Sequence, residues 1–323
     1  MRNLISIADT QPLLIDLKGS SAEYGVVSGV VSAFNALPKQ NIKEFLAFFE
    51  SIDTGGPTYQ AFQSLMILFE GKSGQTYDDG QGNMTIGIGL NLKNPVTEAI
   101  IIAVNKKFGK TYDYKQLAST EGLPPFPGMS FDEIAYMFYL SLIGVTEQRP
   151  DGSMVTFSGE INALIGKLKD AGLDNTPFPA NQLAALLSMS FNSPGLIGDN
   201  LLQALTAFSK EPSDLIAMNN VLIEIVERSN KDNTAGVANR RVMEAGVFLG
   251  SADKIHMSHR AVRAVLAVDP GRPLNGEDRY ALPTGEVEKT WEGGATVVTE
   301  DGTDASHYNK ITYGSTVEWA KVR

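Results

Sequence analysis

Two carboxyls and a hydroxyl stand close together in this chain: Glu70 before Gly71, Asp79 at the end of Tyr77-Asp78-Asp79, and Thr85 at the head of Thr85-Ile86-Gly87-Ile88-Gly89. Cleaving a glycosidic bond needs one carboxyl that keeps its proton for the leaving oxygen. It also needs one carboxylate to handle water, or the oxocarbenium-like centre, on the opposite face. Glu70 and Asp79 are residue types for those two tasks, and the Thr85 hydroxyl can hold the water that Asp79 activates.

Different elements must present these side chains to one space. Phe62, Leu65, Met66 and Phe69 recur at the helical period, which predicts a helix from Gln60 to Phe69 with Glu70 in its last turn and Gly71 at its end. The partial negative charge of a helix C-terminus and a buried flank of Leu68 and Phe69 both disfavour ionisation of Glu70, as a proton donor requires. The turn formers between Tyr77 and Thr85 predict a short β-hairpin, polar enough to keep Asp79 ionised. Thr85, across that turn, can then point its hydroxyl at the same cleft.

With Gly71, Tyr77, Ile86, Gly87 and Gly89 added, the stretch resembles the catalytic signature of the phage-type lysozymes, glycoside hydrolase family 24. That signature is an acid-Gly at a helix end, Tyr-x-Asp in a hairpin, and Thr-Ile-Gly-x-Gly. Ala184 to Gly195, with Phe191-Asn192, resembles the family's core helix, and Gly236-Val237-Ala238-Asn239-Arg240-Arg241-Val242-Met243-Glu244 resembles its closing Asn-Arg-Arg helix. The resemblance spans residues 60 to 250. It implies an α+β, mainly helical, lysozyme-like fold with a small β-hairpin lobe and a larger helical lobe. The implied activity is that of a muramidase, cleaving the β-1,4 bond between N-acetylmuramic acid and N-acetylglucosamine with inversion and without metal or cofactor.

Carried over residue by residue, the resemblance makes Glu70 the general acid, has Asp79 and Thr85 position the water, pairs Arg240 with the acid across the cleft, and sets Asn192 on the glycan groove. Spacing alone leaves Arg240 open as a surface residue at a helix start, and Asn192 as a helix C-cap before Ser193-Pro194-Gly195. Leu90 departs from the family, which commonly has His there, serving mainly a structural ion pair; the departure bears on local packing. A lytic transglycosylase is a rival reading that needs only the Glu, and Asp79 and Thr85 argue against it. A structural or wall-binding virion component with a lysozyme fold and weak or masked activity is the other; the long flanks favour it and three intact catalytic positions oppose it.

The resemblance leaves an N-terminal helical appendage at 1–40, a catalytic segment at 41–250 and a C-terminal extension at 251–323. Pro38 ends a small-residue helix from Ala22 to Leu37, in which Gly25 and Gly29 predict close packing in a core. Asn41 is placed to cap a helix to Glu50, and Ser130-Phe131-Asp132-Glu133 is a capping box for a helix to Leu142. Insertions near 109–128 and 147–158 fall beside the expected cleft, the second as a hairpin turning at Pro150-Asp151-Gly152-Ser153. Ala261 to Leu266 reads as a last helical scrap, and Thr290 to Arg323 as short strands.

With 43% hydrophobic residues the 323-residue chain can bury a proper core, and with no Cys that core owes nothing to disulfides. No export signal or membrane anchor is indicated: Met1 to Thr10 carries one basic residue and an early acid, and the uncharged run Tyr24 to Pro38 is too short to span a bilayer. A net charge of −10 without a Lys/Arg stripe disfavours nucleic acid and predicts weak long-range repulsion from anionic peptidoglycan. Delivery to the wall by a virion, holin-dependent release or a secretion machine is therefore expected, with the flanks docking on such an assembly. Asp79 to Met84 lacks the glycine and final glutamate of a calcium loop, and His256 and His259, one helical turn apart, lack acidic company for a metal.

Overall fold

Alternating runs of apolar helix and short strand follow one another along the chain. The computed structural model describes residues 13–16, 21–78, 84–119, 128–227, 235–251, 254–257, 295–296 and 311–312. In chain order the elements are β1 Leu13–Asp16, α1 Ser21–Asn35, α2 Ile42–Ser51, α3 Pro57–Glu70, β2 Ser73–Asp78, β3 Met84–Gly87, β4 Leu90–Asn91, α4 Glu98–Phe108, α5 Tyr114–Leu117 and α6 Phe131–Ile143. They continue with β5 Val145–Gln148, β6 Met154–Phe157, α7 Glu160–Asp170, α8 Ala180–Asn192, α9 Asp199–Lys210, α10 Leu215–Glu227, α11 Ala235–Leu249, β7 Lys254–Met257, β8 Ala295–Thr296 and β9 Ile311–Thr312. The class is α+β, mainly helical, with small antiparallel sheets. No helix among the described residues is long and apolar enough to cross a membrane.

Two compact units divide the chain. One comprises residues 37–183 and 187–194; the other comprises 1–36, 184–186 and 195–323. In the first, the expected cap at Asn41 forms, and Glu44 completes it as a capping box; the expected capping box at Ser130 forms as well. Asn41 Oδ1 accepts from the N–H groups of Lys43 and Glu44, each at 3.0 Å, and Glu44 Oε2 accepts from the Asn41 N–H at 2.8 Å. Ser130 and Glu133 repeat the arrangement at the start of α6. With their free N–H groups satisfied, α2 and α6 turn apolar faces inward. Phe62 stacks on Phe138 at 6.4 Å and meets Phe49 edge-on at 5.8 Å, so α2, α3 and α6 share an aromatic centre.

Helix α6 packs against α2, α4, α7 and β3. Strands β2, β3 and β4 form one antiparallel sheet, and β5 and β6 a second hairpin that lies on α4. That hairpin, running 145–157, lies where a hairpin was expected near 147–158. Of the stretch 109–128, expected as a first insertion, α5 is described and residues 120–127 lie outside the described residues. It is tied down by Tyr112, whose hydroxyl donates to Glu133 Oε1 at 2.8 Å, while the Lys110 ammonium stands 3.6 Å from the same oxygen. Burial, the hydrogen bond to Glu133 and that negative charge push Tyr112 up to about 12.

In the second unit α10 packs on α9 and α11, and α1 on α11. Strand β1 pairs antiparallel with β7, Leu13 opposite Met257 and Asp16 opposite Lys254, so segments from the two expected flanks share one ladder. Two expectations are corrected here. Among the described residues a Cβ built on Gly25 or Gly29 would meet nothing within 4 Å, and α1 buries Val27, Val30, Val31 and Phe34 instead, so the small-residue face does not pack against the described residues. His256 lies in strand β7, paired with Leu14, so the helical spacing to His259 does not apply; His259 lies outside the described residues. Within 290–323 the described residues include two short strands of the kind expected, β8 and β9, paired with one another. Ala261 to Leu266 lies outside the described residues.

Candidate functional site

Glu70 is the last residue of α3, and Gly71 caps the helix, its N–H donating to the Ile67 carbonyl at 2.8 Å. The apolar period holds for Phe62, Leu65 and Met66, which are buried. It fails at the flank, because Leu68 and Phe69 are only half-buried. The expected apolar sleeve around Glu70 is therefore thinner than the sequence suggested.

Strands β2 and β3 form the expected hairpin. Tyr77 stands opposite Thr85 and Asp78 opposite Met84, and Thr85 is buried. Asp79 begins the turn 79–83 and lies outside the described residues. Strand β3 then turns through Gly87 and Gly89, at φ +69° and +70°. A Cβ on Gly89 would sit 3.1 Å from Glu70 Oε2 and 3.2 Å from its Cβ and Cγ. A Cβ on Gly87 would sit 2.5 Å from Met137 Cε of α6. The glycines of Thr-Ile-Gly-x-Gly therefore have a stereochemical reason: one lets the hairpin close on the acid and the other lets it seat on α6.

Glu70, Tyr77, Thr85 and Asn192 all line one cleft of about 490 Å³, contained within the first unit. Asn192 is the last helical residue of α8 and Ser193 is the cap, so Asn192 stands at the helix end with its residue exposed to the cleft. Leu90 lines the same cleft, buried, with Ile86 as its strand partner. Phe157 from the β5–β6 hairpin and Phe191 from α8 add aromatic wall. The β5–β6 hairpin thus contributes directly to the cleft. Arg240 belongs to the other unit, where it is buried on α11 and its Nε donates to Glu244 Oε1 at 3.0 Å. Arg241, fully buried, pairs with the other oxygen of Glu244.

One further carboxyl lines the cleft. Glu160 is the first residue of α7, following Gly159, and is largely buried. Its Oε2 has no hydrogen-bond partner among the described residues, and burial pushes the carboxyl up to about 7. An acid in the first turn of a helix ordinarily reads as a solvated partner of the helix dipole. Nothing in the spacing distinguished Glu160, because its desolvation comes from the hairpin and helices folded around it. Ser158-Gly159-Glu160, directly after a hairpin, was the available signal.

Among the described residues no three His, Cys, Asp or Glu side chains converge as a metal ion would require. The arrangement can bind a polar chain between aromatic walls, hold a water at Thr85 and present a carboxyl at Glu70. No family model, no curated protein and no solved structure matches the chain.

Proposed function

We propose that this protein is a peptidoglycan hydrolase, a muramidase of the phage-lysozyme type with a lysozyme-like fold around the cleft. The observation that carries the reading is the convergence of Glu70, at a helix end, and Thr85, from a hairpin, on one cleft also lined by Asn192. Aromatic walls at Phe157 and Phe191 suit the apolar faces of pyranose rings.

In this mechanism Glu70 gives its proton to the glycosidic oxygen as the C1–O bond breaks. A water held by Thr85 attacks C1 from the opposite face and loses its proton to Asp79, inverting the anomeric centre. Glu70 regains a proton from solvent. Gly89 keeps the hairpin against Glu70, so that acid and water stay on opposite sides of the bond. The acidic chain is delivered to the wall by a virion or secretion assembly, with the segments beyond the first unit available for docking. A transglycosylase would form an anhydro-sugar without an external water, and a Thr hydroxyl on the cleft gives it no service.

Clearing of chloroform-permeabilised Gram-negative cells tests the reading. The wild type clears them and Glu70→Gln does not; equal clearing by both removes Glu70 from the mechanism, and clearing by neither turns the reading to a structural wall-binding role.

A further inference from the structure

Glu160 has no place in the mechanism above, yet it lies on the same cleft. A buried carboxyl oxygen with no hydrogen-bond partner among the described residues costs the fold stability, and on the wall of a cleft it marks a place where a ligand group can complete it. The surroundings narrow what that ligand group can be. Ser141, Phe157, Phe191 and Asn192 line the cleft with Glu160, all uncharged. Among the described residues the other ionisable side chains lining the cleft are Glu70 and Tyr77.

Helix α7 packs on α2 and α6. On α2, Lys43 is engaged by Asp174 at 2.7 Å, Glu44 closes the capping box, and Glu50 is exposed. On α6, Asp132 and Glu133 lie in the first turn, at the opposite end of the helix from Ser141. No cation among these neighbours pairs with Glu160, so the site suits a neutral hydrogen-bonding group with an apolar companion.

We propose that Glu160 is a substrate-binding residue whose carboxyl O–H donates to the acetamido carbonyl of an N-acetyl sugar in the cleft. Of the neutral groups on a glycan, the amide carbonyl is the strongest acceptor, and its methyl is the apolar companion that Phe157 and Phe191 can cover. Burial keeps the proton on the carboxyl into the neutral range, so it serves as a donor where an ionised carboxylate would be an acceptor only. The proposal rests on the glycan reading of the cleft but not on hydrolysis.

The test is therefore one of binding. Tetrameric N-acetylglucosamine and its fully deacetylated counterpart are titrated calorimetrically into wild type, Glu160→Gln and Glu160→Leu, with Glu70→Gln present in every chain to prevent turnover. At pH 6 the acetylated tetramer binds the Glu160 chain, and Glu160→Leu weakens it about tenfold, the scale of one buried hydrogen bond. At pH 8 the Glu160 chain itself weakens comparably, whereas Glu160→Gln, which retains an N–H donor, binds alike at both pH values. Affinity for the deacetylated tetramer does not depend on residue 160. Equal affinity of the Glu160 and Glu160→Leu chains for the acetylated tetramer overturns the proposal, as does absence of binding by the Glu160 chain. Acetyl-dependent binding through Glu160 in a protein whose unsubstituted form releases no glycan fragments would sustain this inference and remove the muramidase reading.

Discussion

At Glu160 two elementary effects oppose each other. The N-terminus of α7 favours a negative charge, and desolvation disfavours it; the direction of the shift shows that desolvation wins. The carboxyl moves from 4.5 to about 7 on folding, so its ionisation opposes the folded state. Below the lower value both states are protonated and nothing is lost. Between the two values stability falls as pH rises, reaching a deficit of about 3 kcal/mol above the folded value. Glu160→Gln removes that dependence. Scanning calorimetry at pH 4 and pH 8 should find the variant gaining on wild type between the two; an equal difference at both would mean that the carboxyl ionises freely in the fold. Gly89 makes a second residue-scale case. Alanine there pays for a positive φ, about 1–2 kcal/mol, and presses on Glu70. Turnover of purified peptidoglycan should fall about tenfold or more with the fold retained, since displacement of a catalytic group by a fraction of an ångström is enough. Unchanged turnover would show that Glu70 tolerates the intrusion.

The elements were legible to the degree that their signals were local. Asn41 as a cap and Ser130 with Glu133 as a capping box announce their helices, because such signals lie within four consecutive residues, whereas the reciprocal bond from Glu44 was found only in the structure. Turn formers between Tyr77 and Thr85 announce the β2–β3 hairpin, and its register brings those two residues opposite each other. The β1–β7 pairing was not legible: the strands come from opposite ends of the chain, and alternation says that a strand exists without naming its partner. Glu160 was hidden for the same reason. Its burial is made by other elements, including the β5–β6 hairpin, whose presence was legible but whose contribution of Phe157 to the cleft was not. Phe157→Ala should raise KM several-fold with kcat little changed, because the ring contributes wall rather than chemistry. A fall in kcat alone would place the hairpin in the reaction itself. Tyr112→Phe removes a hydrogen bond to the buried Glu133 carboxylate and should cost about 1.5–3 kcal/mol in urea unfolding, without altering turnover. No loss of stability would mean that the stretch 109–128 is not anchored there.

At the scale of the molecule the charge and the proposed substrate have the same sign. A chain of net charge −10 approaching an anionic wall polymer is slowed at low ionic strength, and salt shortens the range of that repulsion. Hydrolysis of purified sacculi should therefore speed up by a few fold as sodium chloride rises from about 20 to about 150 mM. A rate that falls with salt would reveal an attractive patch and remove the reason for invoking delivery by an assembly. The central claim is chemical: Glu70 supplies the proton that frees the leaving sugar. Mass spectrometry of the soluble products from purified peptidoglycan, digested by wild type and by Glu70→Gln, tests it most directly. Reducing muramic acid ends from the wild type, lost in the variant, are the predicted result. Anhydro-muramic ends, the same products from both proteins, or no products from either would contradict it.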